Sequence, residues 1–431
     1  MLYAVNIMER IKEISRVSRR DSSRVSARDT STTAALILDI IRSDGLISRT
    51  DVARAADLSP SAVTQHIDRL VRHGLVLDRG LADSTGGRRA RSVSFNKNAG
   101  YLGCVDLGAR GMNVAITDLE TNILASETYE VDVRAGPEPV LGLVREAIQD
   151  LVAGLGLSDE QVKAVAIGLP GPVEARTGRP ISPPIMPGWD QYRIREFFAS
   201  YFTCPVYVDN DVNVMALGEQ WAGAGRDVDN FLFVKVGTGI GCGIVCDGRL
   251  YRGTDGCAGD IGHIEIEGQS VICRCGNTGC LEAVAAAPAW VRLAHEAATA
   301  GRSPMLAEEL AARGALTAGD VSACAARGDR ASVEIVRESG RLIGHVLAAL
   351  VNFHNPALIL MGGGVSGASD MWLASIRQEI YRRSTPLGSR NLVIQRAPLA
   401  EKAGVIGAAE LALESLFSQP GLQRMLAATS P

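Results

Sequence analysis

The chain has 431 residues, of which 46% are hydrophobic and 21% charged, with a net charge of −4. The length exceeds one ordinary domain, and the composition excludes a disordered, collagen-like or disulfide-scaffold protein. Residues 1–99 carry 17 Lys and Arg against 11 Asp and Glu, and the rest carries 27 against 37, so a basic front precedes an acidic body. That split fits phosphate binding at one end only, although charge asymmetry alone names no partner.

Residues 1–32 are rich in Arg and Ser and lose apolar periodicity after Ile14. They read as a mobile basic tail, with an extra DNA-contacting arm as the alternative. Glu9, Arg10, Lys12 and Glu13 interrupt the start, which therefore lacks a signal-peptide core. A cytoplasmic protein is expected.

Residues 33–96 read as a winged helix-turn-helix DNA-binding domain. A short apolar helix over 34–41 is closed by Asp44-Gly45. Ser48 and Asp51 have capping-box spacing and open a helix over about 49–56, with Val52, Ala55 and Ala56 on one face. Ser59 caps a third helix with Pro60 at its first position; Val63, Ile67, Leu70 and Val71 form its buried face and Gly74 ends it. The opposite face offers Ser61, Thr64, Gln65, His66 and Arg69, which with Ser59 suit base edges and phosphates in a major groove. Strands over 75–77 and 92–95 flank a loop with Gly86, Gly87, Arg88 and Arg89, and Arg91 follows: a basic wing. The alternative is a three-helix packing unit with a solvated polar face.

The body divides into expected lobes at 100–222 and 223–415, followed by a C-terminal tail over 416–431. Two stretches resemble each other: 104–108 then 112–116 with a turn at Asp118, and 233–237 then 243–245 with a turn at Asp247. Each reads as strand, Gly turn, strand, which suggests a duplicated lobe and a cleft between the copies. Ordinary hairpins are the alternative. The apolar stretch 346–365 contains Asn352, His354, Asn355 and Pro356, so it reads as a buried helix then a buried strand, not a membrane span.

His263, Cys273, Cys275 and Cys280 are four donors suited to a closed, structural zinc site, and Gly276 and Gly279 permit the tight wrap. The nine cysteines are otherwise scattered, which favours a metal site in a reducing compartment over disulfides. A strand over 206–208 leads to Asp209-Asn210-Asp211 and a helix through Val214, Leu217 and Trp221. Asn210 and Asp211 suit vicinal sugar hydroxyls; helix capping is the alternative. Asp260 and His263 lie just before the cysteines and Glu282 just after.

These residues carry a resemblance. Ala258-Gly-Asp-Ile-Gly-His263, then Cys-x-Cys-Gly-x-x-Gly-Cys-Leu-Glu282, with 168–172, 209–213 and 361–366, resembles the ROK family (repressor, open reading frame, kinase), within the actin-like and hexokinase-like fold. The resemblance implies a two-lobed α/β fold with a zinc-binding loop, zinc on His263, Cys273, Cys275 and Cys280, and sugar contacts from Asn210, Asp211, Asp260, His263 and Glu282. In kinase members the counterpart of Asp211 is the catalytic general base. Three departures stand out. The first phosphate turn reads Asp106-Leu-Gly108-Ala109-Arg110, without the usual Gly-Gly-Thr, so ATP binding is not expected. Asp260 replaces the usual Glu, and Pro184 stands where Asn is common. The DNA module is typical of the family's repressors.

The expectation is a sugar-responsive repressor of carbohydrate genes with no catalytic residue. It would act as a homodimer or homotetramer on a palindromic double-stranded operator, with a sugar or sugar derivative as effector and no membrane partner. The alternative is an ATP-dependent sugar kinase carrying a DNA module, with Asp211 catalytic. Control by a partner protein is a third reading.

Overall fold

The computed structural model describes residues 27–81, 91–367 and 369–428. Helices α1 (Ala27–Asp44), α2 (Arg49–Ala55) and α3 (Pro60–Arg72) pack around Ile37, Leu38, Ile41, Val52, Val63, Ile67 and Leu70, all essentially inaccessible to solvent. The α2 start is capped by Ser48 as expected, the Asp51 amide donating to Ser48 Oγ at 3.1 Å, but the box is not closed in the expected way: Asp51 accepts from the Ser48 hydroxyl at 2.7 Å, a bond between side chains and not one to the cap's backbone amide. Strands β1 (Leu46–Ser48), β2 (Val76–Leu81) and β3 (Arg91–Phe95) form a sheet of order β1-β3-β2. The short β1 strand adds to the two strands expected of the wing. Helix α1 begins at Ala27, so the end of the expected tail is helical; residues 1–26 lie outside the described residues.

The lobe 1 sheet contains β4 (Tyr101–Leu107), β5 (Gly111–Asp118), β6 (Ile123–Glu130), β7 (Val162–Leu169) and β8 (Val206–Asn210), in order β8-β7-β4-β5-β6. The lobe 2 sheet contains β9 (Phe231–Val236), β10 (Ile240–Cys246), β11 (Arg249–Tyr251), β12 (Leu358–Gly362) and β13 (Val393–Arg396), in order β11-β10-β9-β12-β13. Each sheet has a central strand paired antiparallel with the next in sequence and parallel with a later one. The two orders correspond strand for strand, which is the duplication the Gly turns indicated. Helix α4 (Pro137–Gly154) buries Val140, Val144, Ile148 and Leu151 against lobe 1. In lobe 2, α6 (Arg330–His354) precedes β12 directly, as the interrupted apolar stretch required.

Helices α5 (Asp211–Ala222) and α7 (Lys402–Leu416) lie between the sheets and cross at two glycines. A Cβ on Gly407 would meet the Val214 carbonyl at 1.7 Å, and one on Gly218 the Ala403 carbonyl at 2.1 Å, so the backbones touch. Helix α7 packs on β4 and β7, so lobe 1 is not confined to residues 100–222 as expected: residues 402–416 return to it. The expected C-terminal tail is also corrected. Helix α8 (Gln419–Ala428) packs on α1 and buries Leu422 and Leu426, each contributing about 1.5–3 kcal/mol. The core of the DNA module is thus continuous with the underside of lobe 1.

Candidate functional site

On α3, Ser59 Oγ accepts from the Ala62 amide at 3.3 Å, and Ser61, Thr64 and Gln65 are exposed. Arg69 is half-buried. His66 departs from expectation: it is 8% exposed, on the same face as Val63, Ile67 and Leu70. Burial, then the Arg69 charge, push its imidazole below the ordinary range, so it belongs to the core and not to a base-reading face. Arg91 is exposed at the start of β3, 3.5 Å from Asp78. Arg88 and Arg89 lie outside the described residues. Sequence reasoning missed Arg49, which bridges Asp68 of α3 at 2.7 Å and Asp78 of β2 at 3.1 Å and so fixes α3 relative to the sheet. An Arg one residue after a helix cap gives no such signal on its own.

The glycine turns of the two lobes face a cavity of about 490 Å³. Asn210, Asp211, Asp260, His263 and Glu282 all line it, so the structure brings together every cleft residue the sequence singled out. Their partners differ. Asn210 caps α5, accepting from the Val212 amide at 3.0 Å, and donates to the Gly171 carbonyl at 2.9 Å. Glu282 accepts from the Ile240 amide at 3.1 Å and ties the second glycine turn to the cysteine loop; burial raises its carboxyl above the usual range. Burial likewise raises Asp260, opposed by His263, whose Nε2 lies 3.8 Å from an Asp260 oxygen.

Asp211 is 5% exposed. Its Oδ2 accepts from Lys235 Nζ at 2.5 Å and its Oδ1 from the Val212 amide at 2.8 Å. Burial works against the Lys235 charge, but Asp211 and Asp106 outweigh it and hold the ammonium above its ordinary range. Next to it, Asp209 is also buried and accepts from Arg252 Nε of lobe 2 at 2.7 Å. Both carboxylates of the Asp-Asn-Asp run are therefore clamped by cations from the opposite lobe. Sequence reasoning missed both cations; a lone Lys inside the strand Phe-Leu-Phe-Val-Lys-Val was the available signal. Asp106 is the penultimate residue of β4, just before the first turn, and burial pushes its carboxyl up to about 6. The Gly108 amide donates to the Gly111 carbonyl at 2.8 Å, so that turn's first N–H is already used.

The donor atoms of His263, Cys273, Cys275 and Cys280 lie within 4.8 Å of one another. His263 Nδ1 is 3.7 Å from Cys273 Sγ, and Cys275 Sγ is 3.7 Å from Cys280 Sγ. Burial, then the neighbouring thiols, push Cys280 up to about 12. Three crowded sulfurs and one imidazole fit a four-coordinate divalent metal, which would relieve that mutual repulsion. With Nδ1 turned to the sulfurs and Nε2 to Asp260, His263 joins this loop to the cleft.

Comparisons with known proteins agree with this architecture. A model described as ROK family matches residues 102–415, and one described as winged helix-turn-helix DNA-binding matches residues 32–76. The xylose repressor of Caldicellulosiruptor bescii is 29% identical over 89% of this chain and 96% of its own length. A glucokinase of Halalkalibacterium halodurans is 34% identical over 71% of this chain and 93% of its own. A crystal structure of a ROK family transcriptional regulator, a homologue of the Escherichia coli MLC protein, superimposes with a TM-score of 0.80 at 28% identity, covering 93% of this chain and all of that one. The chain belongs to the ROK family and carries an N-terminal winged helix-turn-helix.

Proposed function

We propose that this protein is a DNA-binding transcriptional repressor whose grip on its operator is set by a sugar bound between the lobes. The observation that carries the reading is the union, in one continuous core, of an exposed α3 face with a polar cleft whose carboxylates are held by internal cations. Ser59, Ser61, Thr64, Gln65 and Arg69 are assigned to DNA, with Arg88, Arg89 and Arg91 on the wing. Asn210, Asp211, Asp260, His263 and Glu282 are assigned to the sugar. Zinc on His263, Cys273, Cys275 and Cys280 is structural. Two copies reading a palindromic operator would supply enough base contacts for specificity. The similarity to repressors along nearly the whole chain supports this reading.

A sugar kinase is the second reading, favoured by the 34% identity to a glucokinase and by Asp211 itself. One experiment addresses both. Protein with Mg-ATP and D-glucose, D-xylose or N-acetylglucosamine is assayed for ADP, and DNA selected from a random pool by the full chain is titrated with and without each sugar. Sugar-dependent release without ADP supports the repressor; sustained ADP formation reverses the ranking. Asp211→Ala is expected to abolish the sugar effect.

A further inference from the structure

The two interlobe helices share a feature that the sugar site does not use. Helix α5 starts at the cleft, α7 starts against Asp106, whose carboxylate shares Lys235 with the cleft's Asp211, and both helices end at one arginine of the DNA module. Helix α5 starts with Asp211, held by Lys235. The first turn of α7 contains Gly404, where a Cβ would lie 2.3 Å from Asp106 Oδ2, so this turn rests directly on the second buried carboxylate. At the far ends, Trp221 is the penultimate residue of α5 and Phe417 immediately follows α7. The Arg42 guanidinium, on α1, lies 4.8 Å from the Phe417 ring centroid, 5.8 Å from that of Trp221 and 5.7 Å from that of Phe95. Phe95 is the last residue of wing strand β3 and packs edge-on against Phe417 at 5.8 Å. Trp221 is fixed in turn by donating to Thr121 Oγ1 at 2.8 Å.

A guanidinium over several aromatic faces is attracted by each ring, and the attraction depends on each ring's position. The close crossing at Gly218 and Gly407 leaves no room for one helix to slide without the other. A shift of Asp211 or Asp106 therefore reaches Trp221 and Phe417 together, and Arg42 joins those rings to both α1 and the wing. We propose that Arg42 is the coupling residue of this protein, through which the state of the cleft is transmitted to the DNA-reading module. The direction of signalling rests on the functional reading above, but the coupling itself does not. It is reciprocal, so DNA must alter the cleft as the cleft alters DNA binding.

The test is a double-perturbation cycle on the full chain, with Lys235→Met as the disturbance of the cleft and no sugar required. Amide hydrogen exchange is read over residues 36–42 and 91–95. Lys235→Met is expected to change exchange there by about three- to tenfold in the wild-type background, and by less than about twofold in Arg42→Met. Trp221→Phe, which keeps a ring but loses the bond to Thr121, is expected to fall between them and stands in if Arg42→Met fails to fold. Equal changes in the wild-type and Arg42→Met backgrounds, or no change in either, would overturn the proposal. Exchange changes that vanish in Arg42→Met while no sugar alters DNA affinity would uphold the coupling and defeat the sugar-response reading.

Discussion

Lys235→Met tests whether the cleft is held together electrostatically. Methionine keeps an unbranched apolar stem one atom shorter than lysine and removes the ammonium, both its charge and its hydrogen bond to Asp211. The ammonium sits 2.5 Å from Asp211 Oδ2, with the side chains 20% and 7% exposed. At an effective dielectric near 20 the direct attraction is about 6–7 kcal/mol, most of it offset by desolvation of both ions. The informative quantity is the cost of losing one partner alone, because Asp211 then remains as a buried charge close to Asp106. Breaking such a pair costs about 3–5 kcal/mol. For a body of this size, with unfolding entropy near 2 cal/mol/K per residue, the melting temperature should fall by about 5–8 °C. Adding Asp211→Asn removes the stranded carboxylate and should recover at least half of that loss. Calorimetry of wild type, both single variants and the double variant at pH 8 measures the cycle. A single-variant loss below about 1 °C, or a double variant no more stable than Lys235→Met, would refute the reasoning.

Asp106 gives a pH prediction of definite sign. Its folded carboxyl titrates at about 6 against an ordinary value of 3.8, because burial outweighs the attraction of Lys235. Folding therefore takes up a proton between roughly pH 4 and 6, and stability falls as pH rises through that window, with a penalty of about 3 kcal/mol fully present above it. Asp106→Asn should flatten the fall in denaturant midpoint between pH 4.5 and 7; an unchanged slope would mean that another group causes it. The cysteine loop gives the other. Protein purified without chelator should carry one zinc per chain, and a strong chelator should make Cys273, Cys275 and Cys280 reactive toward a thiol reagent while lowering the melting temperature. Metal-free protein with those thiols reactive from the outset would remove the site.

What was legible in the sequence was local. The caps at Ser48 and Ser59, the glycine turns and the donor spacing of the cysteine loop each act over a few residues, and all appear where expected. What was not legible depends on partners far away in sequence. Asp211 finds Lys235 24 residues on, Asp209 finds Arg252 43 residues on, and Arg42 meets Trp221 and Phe417 only after both lobes have formed. Two misreadings had signals that outweighed residue type. His66 shares helical spacing with Val63 and Leu70, so periodicity placed it inside although its chemistry suggested a base contact. Leu422, Met425 and Leu426 repeat at helical spacing in the supposed tail, which marks a buried stripe.

The same carboxylate serves as a base or as a fixed acceptor according to what surrounds it. A general base must take a proton from a hydroxyl as charge builds on that oxygen, so it needs a spare acceptor site on its carboxylate and a phosphoryl acceptor held opposite. Here Lys235 and the Val212 amide already engage both Asp211 oxygens. The first glycine turn spends its Gly108 amide on Gly111, and Ala109-Arg110 comes next in the chain. Asp211 can still accept one more hydrogen bond from a sugar hydroxyl, because a carboxylate has about four acceptor sites. A ligand bound there would add its hydroxyls to an ion pair that already spans the lobes, and so tighten one arrangement of α5 over another without any bond being made or broken. That differential grip is the sole thermodynamic requirement for a small molecule to move a distant DNA-reading helix. An architecture shared with a glucokinase can therefore serve as a sensor wherever a ligand grips one arrangement of the lobes more tightly than the other.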